Sequence, residues 1–312
     1  MVKQEIGYLV KSLRKQAGFS QEKLALETGI EQATISKIER GRSTPNKDTI
    51  TILFQKFGYD LASISNLLLS KEEAEYQRII DEIDAHLANK RYEEGEALFL
   101  KLKDVKEFIK NRFNQQYLLF IEALLEQRKK NIHHEKILDL LIKAMEINIT
   151  KFREEKIEEY YLSNQELEII NLISIVYFES NMIDKAIYIL EALKTNFDNH
   201  SIDRNHKGKW YPFILYNLTK YLGISGNRAR ALELCDIGIN VCLDTGYLYS
   251  LPKLSFNKAY GLIDIGKEEE GKKLLKEVYY TCLLFKRFKD ALHIQTYAKE
   301  KLSIDLQHII LN

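Results

Sequence analysis

Helix-breaking residues are scarce in this chain: 3 prolines and 14 glycines in 312 residues. Long helices can therefore run almost uninterrupted, and strictly alternating strand patterns are rare as well. Cysteine is equally sparse. Cys235, Cys242 and Cys282 form no CxxC and have no histidine pattern nearby, which speaks against a disulfide framework or a thiolate metal site and for buried structural thiols in a reducing cytosol. The N-terminus has no apolar signal core, and no hydrophobic run reaches membrane-spanning length, so a cytoplasmic protein without a membrane partner is expected. Nor is there an excess of one charge. The net value is +1, with 10 Lys+Arg against 7 Asp+Glu in residues 1–70 and 36 against 38 in the rest. A general polycation is excluded, and phosphate binding would rest on local placement of Lys37, Arg40, Arg42 and Lys47.

The marks of catalysis are missing too. No glycine loop that would cradle phosphate, no nucleophile elbow and no paired carboxylates in an identifiable cleft occur, so no enzyme and no cofactor are expected. His200, Asp203 and His206 lie in the longest polar stretch, 196–212, which also holds the sole tryptophan. Their spacing is irregular and a fourth ligand is lacking, so no metal is expected; the stretch reads as a solvated loop that could lie over a groove. His133 and His134 invite the same reading. What is abundant is core material. Hydrophobic residues make up 45% and aromatics 11% of the chain, enough for two or more domains.

Residues 14–42, RKQAGFSQEKLALETGIEQATISKIERGR, are the most informative segment. Ser20 can cap a short helix in which Glu22 and Glu27 bracket the apolar Leu24 and Leu26. Gly29 sits where the chain turns sharply. A second short helix buries Ile30, Ile35 and Ile38 and leaves Gln32, Ala33, Thr34, Ser36 and Lys37 facing outward. A face of amides, hydroxyls and small or basic groups suits the DNA major groove, whereas a solvated surface helix more often alternates Glu and Lys.

This stretch resembles the lambda-repressor-like (XRE) helix-turn-helix family through Ser20-Gln21, Leu24-Ala25, Gly29, Ile35-Ser36, Ile38-Glu39 and Gly41. The likeness covers about residues 3–69. It implies that Gln21 opens the second helix and bonds a phosphate, and that Gln32, Ala33, Ser36 and Lys37 meet base edges. It also pairs Arg14 with Glu39. Ala33 departs from many family members and is suited to a thymine methyl. A fourth helix over 47–57 and a fifth over 61–69 would close this domain.

From about residue 71 the sequence reads as degenerate helix pairs, the sign of a solenoid. A tight turn followed by a small residue marks the repeats: Gly95 in KRYEEGE, Ala186 in NMIDKAI, Ala231 in GNRARAL and Gly271 in GKEEEGK, with a poorer match centred on Lys136. A small side chain there lets paired helices approach closely. The repeats resemble tetratricopeptide repeats with lengthened helices, HEAT-like pairing being the alternative. The fold expected is all-α: a helix-turn-helix domain at 1–69, then a right-handed α-solenoid over 70–312 ending in a capping helix at about 287–302.

Three first helices carry asparagine at nearly one register: Asn171, Asn217 and Asn257. An amide both donates and accepts, so a row of them along a concave face could hold an extended peptide backbone without reading its side chains. Asparagine on an amphipathic helix also serves as plain polar surface or bonds a neighbouring turn. Tyr177, Tyr216, Tyr221 and Tyr260 lie one or two turns away as pocket formers or as interhelix packing. Lys220 and Lys253 could meet an acidic residue or a carboxylate terminus.

Domain order, length and the asparagine register together resemble the RRNPP family of peptide-responsive regulators, of the Rgg and PlcR type. The resemblance implies a cytoplasmic homodimer that binds a double-stranded, palindromic operator, holds a short signalling peptide in its repeat domain and acts in quorum sensing. A ligand-free dimeric repressor, or a repeat domain that docks a protein partner, are the alternatives.

Overall fold

The computed structural model describes residues 2–57, 71–129, 131–200, 202–304 and 306. Among them every regular element is a helix. The chain divides into two compact units, Met1–Phe108 and Ile109–Asn312. The expected boundary at 69/70 and the expected helix over 61–69 lie outside the described residues.

The first unit opens with α1 (Val2–Gln16), α2 (Gln21–Thr28), α3 (Gln32–Glu39) and α4 (Lys47–Lys56). Ser20 caps α2, its hydroxyl accepting from the Lys23 N–H at 3.0 Å, and Asn46 does the same for α4 through the Thr49 N–H at 2.8 Å. Gly29 ends α2 at φ 69°, a left-handed conformation that a side chain would strain. Val10, Leu13, Leu24, Ile35, Ile38, Leu53 and Phe54 form one buried cluster, with Ile30 half-buried against it. Of the apolar pair on α2, Leu24 is buried and Leu26 is 85% exposed. Two steps along a helix rotate a side chain by about 200°, so a short helix on a small core cannot bury both. The same unit contains the helix pair α5 (Lys71–Ala88) and α6 (Tyr92–Lys103).

The second unit stacks α7 (Arg112–Glu126) on α8 (His134–Asn148), α9 (Asn164–Glu179) on α10 (Ile183–Asn199), α11 (Arg204–Ile224) on α12 (Arg228–Thr245) and α13 (Leu251–Asp264) on α14 (Glu268–Leu284), with α15 (Phe288–Leu302) against α14. The first helices α9, α11 and α13 also touch one another in succession. This is a solenoid of tetratricopeptide-like pairs.

One turn recurs through both units. Lys90, Asn181, Gly226, Gly266 and Lys286 all have φ between 55° and 89°, and each precedes the next helix by the same short step. In each case a six-residue hydrogen bond closes the turn, as from the Met182 N–H to the Tyr177 carbonyl at 2.9 Å. The fourth residue of the following helix is then Gly95, Ala186, Ala231, Gly271 or Ala291, all buried. The first four are the small residues read from the sequence. A Cβ on Gly271 would lie 2.8 Å from the Ala259 carbonyl oxygen, so the helices approach backbone to backbone there. The Lys136 register is off by one. Ile137 is the buried residue at that place, while Lys136 reaches out to Glu126 at 3.0 Å. The closing helix α15 follows the same turn as the pairs.

The stretch 196–212 is not a loop. It completes α10 and begins α11, with only a brief link between them. The Asp203 carboxylate accepts from the Asn205 and His206 N–H groups at 2.9 and 3.1 Å and so starts α11. Trp210, Tyr211, Ile214, Leu215 and Leu218 bury one stripe, and the polar residues that make the stretch look solvated occupy the others. His206 stacks on Phe197 and His200 Nδ1 meets the Asn196 carbonyl oxygen. The three cysteines are buried; burial alone pushes the Cys242 thiol up to about 11. No helix among the described residues is long and apolar enough to cross a membrane.

Candidate functional site

In the first unit α3 is anchored from behind and open in front. Ile35 and Ile38 are buried, while Gln32, Ala33, Lys37, Arg40 and Arg42 are exposed and Thr34 and Ser36 half-exposed. The outward residues of the sequence reading therefore share one free surface. Arg40 folds back one turn, its Nη2 donating to the Ser36 hydroxyl at 2.8 Å and its Nε to the Ser36 carbonyl at 3.0 Å. That contact sets the rotamer of Ser36 on the surface.

Behind α3, Arg14 on α1 donates from Nε and Nη2 to the two oxygens of Glu39 at 2.6 and 3.0 Å, and from Nη1 to the Phe19 carbonyl at 2.7 Å. Gln21 adds a bond to Glu39 at 2.8 Å. This is the expected Arg14–Glu39 pair. Its other consequence is that the Gln21 amide, expected on phosphate, is engaged inside the domain. Burial pushes the Glu39 carboxyl up, but the hydrogen bonds from Arg14 and Gln21 and the adjacent guanidinium charge outweigh it and hold Glu39 below the ordinary carboxylate range. Gly7 completes the anchor. A Cβ there would fall 2.2 Å from the Ile38 carbonyl oxygen, so α1 lies directly on the backbone at the end of α3. One sign of this is visible along the chain, a glycine in the middle of a helix that propensity disfavours.

The second unit carries two cavities along the row of first helices. One, of about 510 Å³, is walled by α7, α9, α11 and the segment before α13, with Leu172, Trp210, Phe213, Tyr247 and Tyr249 among its lining and Asn171 at its edge. The next, of about 410 Å³, lies between α11, α13 and α15 and includes Tyr216, Lys220, Lys253, Asn257 and Tyr260. Both are within the size range of ligand sites. Six of the nine residues read as peptide contacts thus line one or the other cavity.

The remaining three line neither. Asn217 is buried and donates from Nδ2 to the Asn171 Oδ1 at 2.7 Å. Asn257 is held comparably, donating to the Tyr216 carbonyl at 3.0 Å and the Thr219 hydroxyl at 2.9 Å. Asn217 and Asn257 therefore each bond to the repeat before. Tyr177 donates to Glu154 at 2.7 Å with Lys185 over its ring, and Tyr221 stacks on Phe178 with centroids 4.2 Å apart; both serve interhelix packing, and burial raises both phenols.

Charge differs between the cavities. In the 410 Å³ cavity Asp264 pairs with Arg228, and Asp290 with Arg287 at 2.6 Å. Lys253 instead lies over two rings, 5.1 Å from the centroids of Tyr216 and Tyr249, and Lys220 lies 5.3 Å from that of Phe178. The Lys253–Tyr249 contact joins one cavity to the other. Trp210, Phe213, Tyr249, Phe256 and His293 escaped the sequence reading. The spacing Phe213, Asn217, Lys220, Ile224 on one face of α11 is the signal that could have found Phe213.

A family model described as "Helix-turn-helix" matches residues 10–64. No curated protein matches the chain. Among solved structures, PlcR of Bacillus thuringiensis in complex with the peptide PapR7 and DNA is similar with a TM-score of 0.71 at 19% identity, covering 95% of this chain and 98% of that one. The SHP pheromone receptor Rgg2 of Streptococcus dysgalactiae gives 0.66 at 11% identity, covering 95% and 99%. ComR of S. thermophilus, in complex with DNA and its signalling peptide ComS, gives 0.59 at 14% identity, covering 93% and 97%. At these identities the likeness is one of fold.

Proposed function

We propose that this chain is a peptide-responsive transcriptional regulator of the RRNPP type, which reads promoter DNA through α3 and is switched by a short signalling peptide held in the second unit. The observation that carries this reading is the joint one. A helix-turn-helix with a free outer face is fused to a helical stack whose first helices enclose two adjoining cavities, and the whole chain aligns with folds solved with peptide and DNA. Gln32, Ala33, Ser36 and Lys37 would meet base edges, with Arg40 and Arg42 near phosphates. The regulator would act in the cytoplasm as a homodimer, setting two α3 helices on successive major grooves ~34 Å apart. A coupling of ~1–3 kcal/mol between peptide and operator is enough to switch it.

The test uses purified full-length protein. Operators are selected from random duplex DNA, and their affinity is measured with and without peptides co-purified from the native host and identified by native mass spectrometry. A selected palindrome whose affinity moves with the peptide is the expected result. A palindrome whose affinity ignores every peptide would leave a ligand-free repressor, and no selected DNA would overturn the regulator itself.

A further inference from the structure

We infer that the two cavities read two different parts of one extended peptide: a large apolar or aromatic side chain in the first, and a carboxylate at the lysines of the second. The inference rests on the peptide-sensor reading above and adds the chemistry of the ligand.

The first cavity presents mainly hydrocarbon and ring surface, from Leu172, Trp210, Phe213 and Tyr247, with one acid and one base, Glu168 and Lys209, in its lining. An apolar side chain gains there what it loses in water. The second cavity mixes rings with charge, and its charges are not equivalent. Its acids are already matched by Arg228 and Arg287. Among the described residues, Lys220 and Lys253 lie over ring faces and form no ion pair within 4.0 Å, unlike the arginines beside them. The unmatched charge of this wall is thus positive, and a carboxylate arriving between rings would complete it.

The spacing between the two features is set by one helix. Phe213 and Lys220 are seven residues apart on α11, two turns along one face, which is about 10 Å. An extended chain advances roughly 3.3 Å per residue, so about three residues span the gap. Asn217, between them in sequence and buried beneath this surface, ties α11 to α9 through its bond to Asn171. The carboxylate can be the peptide's own C-terminus or an Asp or Glu side chain.

The experiment is affinity selection on the full chain from synthetic randomised heptapeptide pools, one with free C-termini and one amidated, with retained peptides sequenced by mass spectrometry and re-measured by fluorescence anisotropy. The expected result is enrichment of an aromatic or large aliphatic residue about three positions before an acidic residue, or before the free C-terminus. Enrichment surviving in the amidated pool assigns the carboxylate to a side chain; enrichment confined to the free pool assigns it to the terminus. The double variant Lys220→Met, Lys253→Met should weaken the retained peptides about tenfold or more, the scale of one charge-assisted hydrogen bond. Lys220→Glu, Lys253→Glu should redirect selection toward Lys and Arg. Peptides retained without acidic or terminal preference, or bound equally by the methionine variant, would overturn this inference and leave the sensor reading standing. Retention of no peptide from either pool would overturn both.

Discussion

Arg14 and Glu39, one on α1 and the other at the end of α3, meet through two parallel hydrogen bonds of 2.6 and 3.0 Å in a nearly closed interior. The helix proposed to read DNA is fixed to its domain by an ion pair and not by apolar contact alone. Because the folded-state Glu39 carboxyl is held below its ordinary range, its contribution is complete above the unfolded value, about 4.3. It is lost as pH falls from there through the lowered value. Glu39→Ala should destabilise the first unit by roughly 3–5 kcal/mol, since it leaves a buried guanidinium unmatched. Thermal unfolding followed by circular dichroism from pH 7 to 3 checks both parts: wild type should lose its advantage over the variant as the medium becomes acid. A constant gap across that range would refute the assignment.

Gly7 offers a steric counterpart. Its added Cβ would overlap the Ile38 carbonyl, a backbone atom that cannot swing aside. Gly7→Ala should cost about 1–3 kcal/mol, as overpacking does, despite the better helix propensity of alanine. Urea denaturation measures it. A stabilised variant would mean that α1 and α3 do not approach as described.

On the front of α3, Gln32 and Lys37 are exposed. Substituting either by alanine should leave the unfolding midpoint within about 0.5 kcal/mol. Binding to a selected operator should weaken by ~1–3 kcal/mol for each good base-edge bond removed. Anisotropy titrations with labelled operator and with a scrambled duplex distinguish the two effects. Equal weakening on both duplexes would reassign the residue from bases to phosphates.

Asn171 and Asn217 form a pair whose energetics a double-mutant cycle can isolate. Asn217→Ala strands the Asn171 oxygen at a nearly buried place, at an expected cost of about 1–3 kcal/mol. The double variant Asn171→Ala, Asn217→Ala should cost less than the sum of the singles, with a coupling of about 1 kcal/mol. Simple additivity in denaturant unfolding would show that the bond is not formed in solution.

Much of this fold can be read along the chain, because the deciding features are local. Ser20, Gly29 and the buried Ile35 and Ile38 sit where the spacing of apolar and capping residues puts them, and Ala186, Ala231 and Gly271 follow their turns as expected. The failures share one cause. Residue type alone misplaces Lys136 and the polar stretch around Trp210, because burial is decided by which helix face a neighbour covers. The asparagine register is visible in sequence, but its partners are not: an amide at a repeated position looks the same whether it faces a ligand or the next repeat. The cavities draw on three helices in one case and five in the other, and contacts of that sort leave no mark in any single one.

Helices packed by hydrocarbon alone can slide a little in any direction, since the contact area hardly changes. The amides of Asn217 and Asn257 remove that freedom, because a hydrogen bond to a fixed oxygen on the preceding repeat is either made or broken. They act like the notches of a ratchet. A slide of one repeat on the next would therefore leave a buried amide without its partner, a cost that hydrocarbon contact alone does not impose.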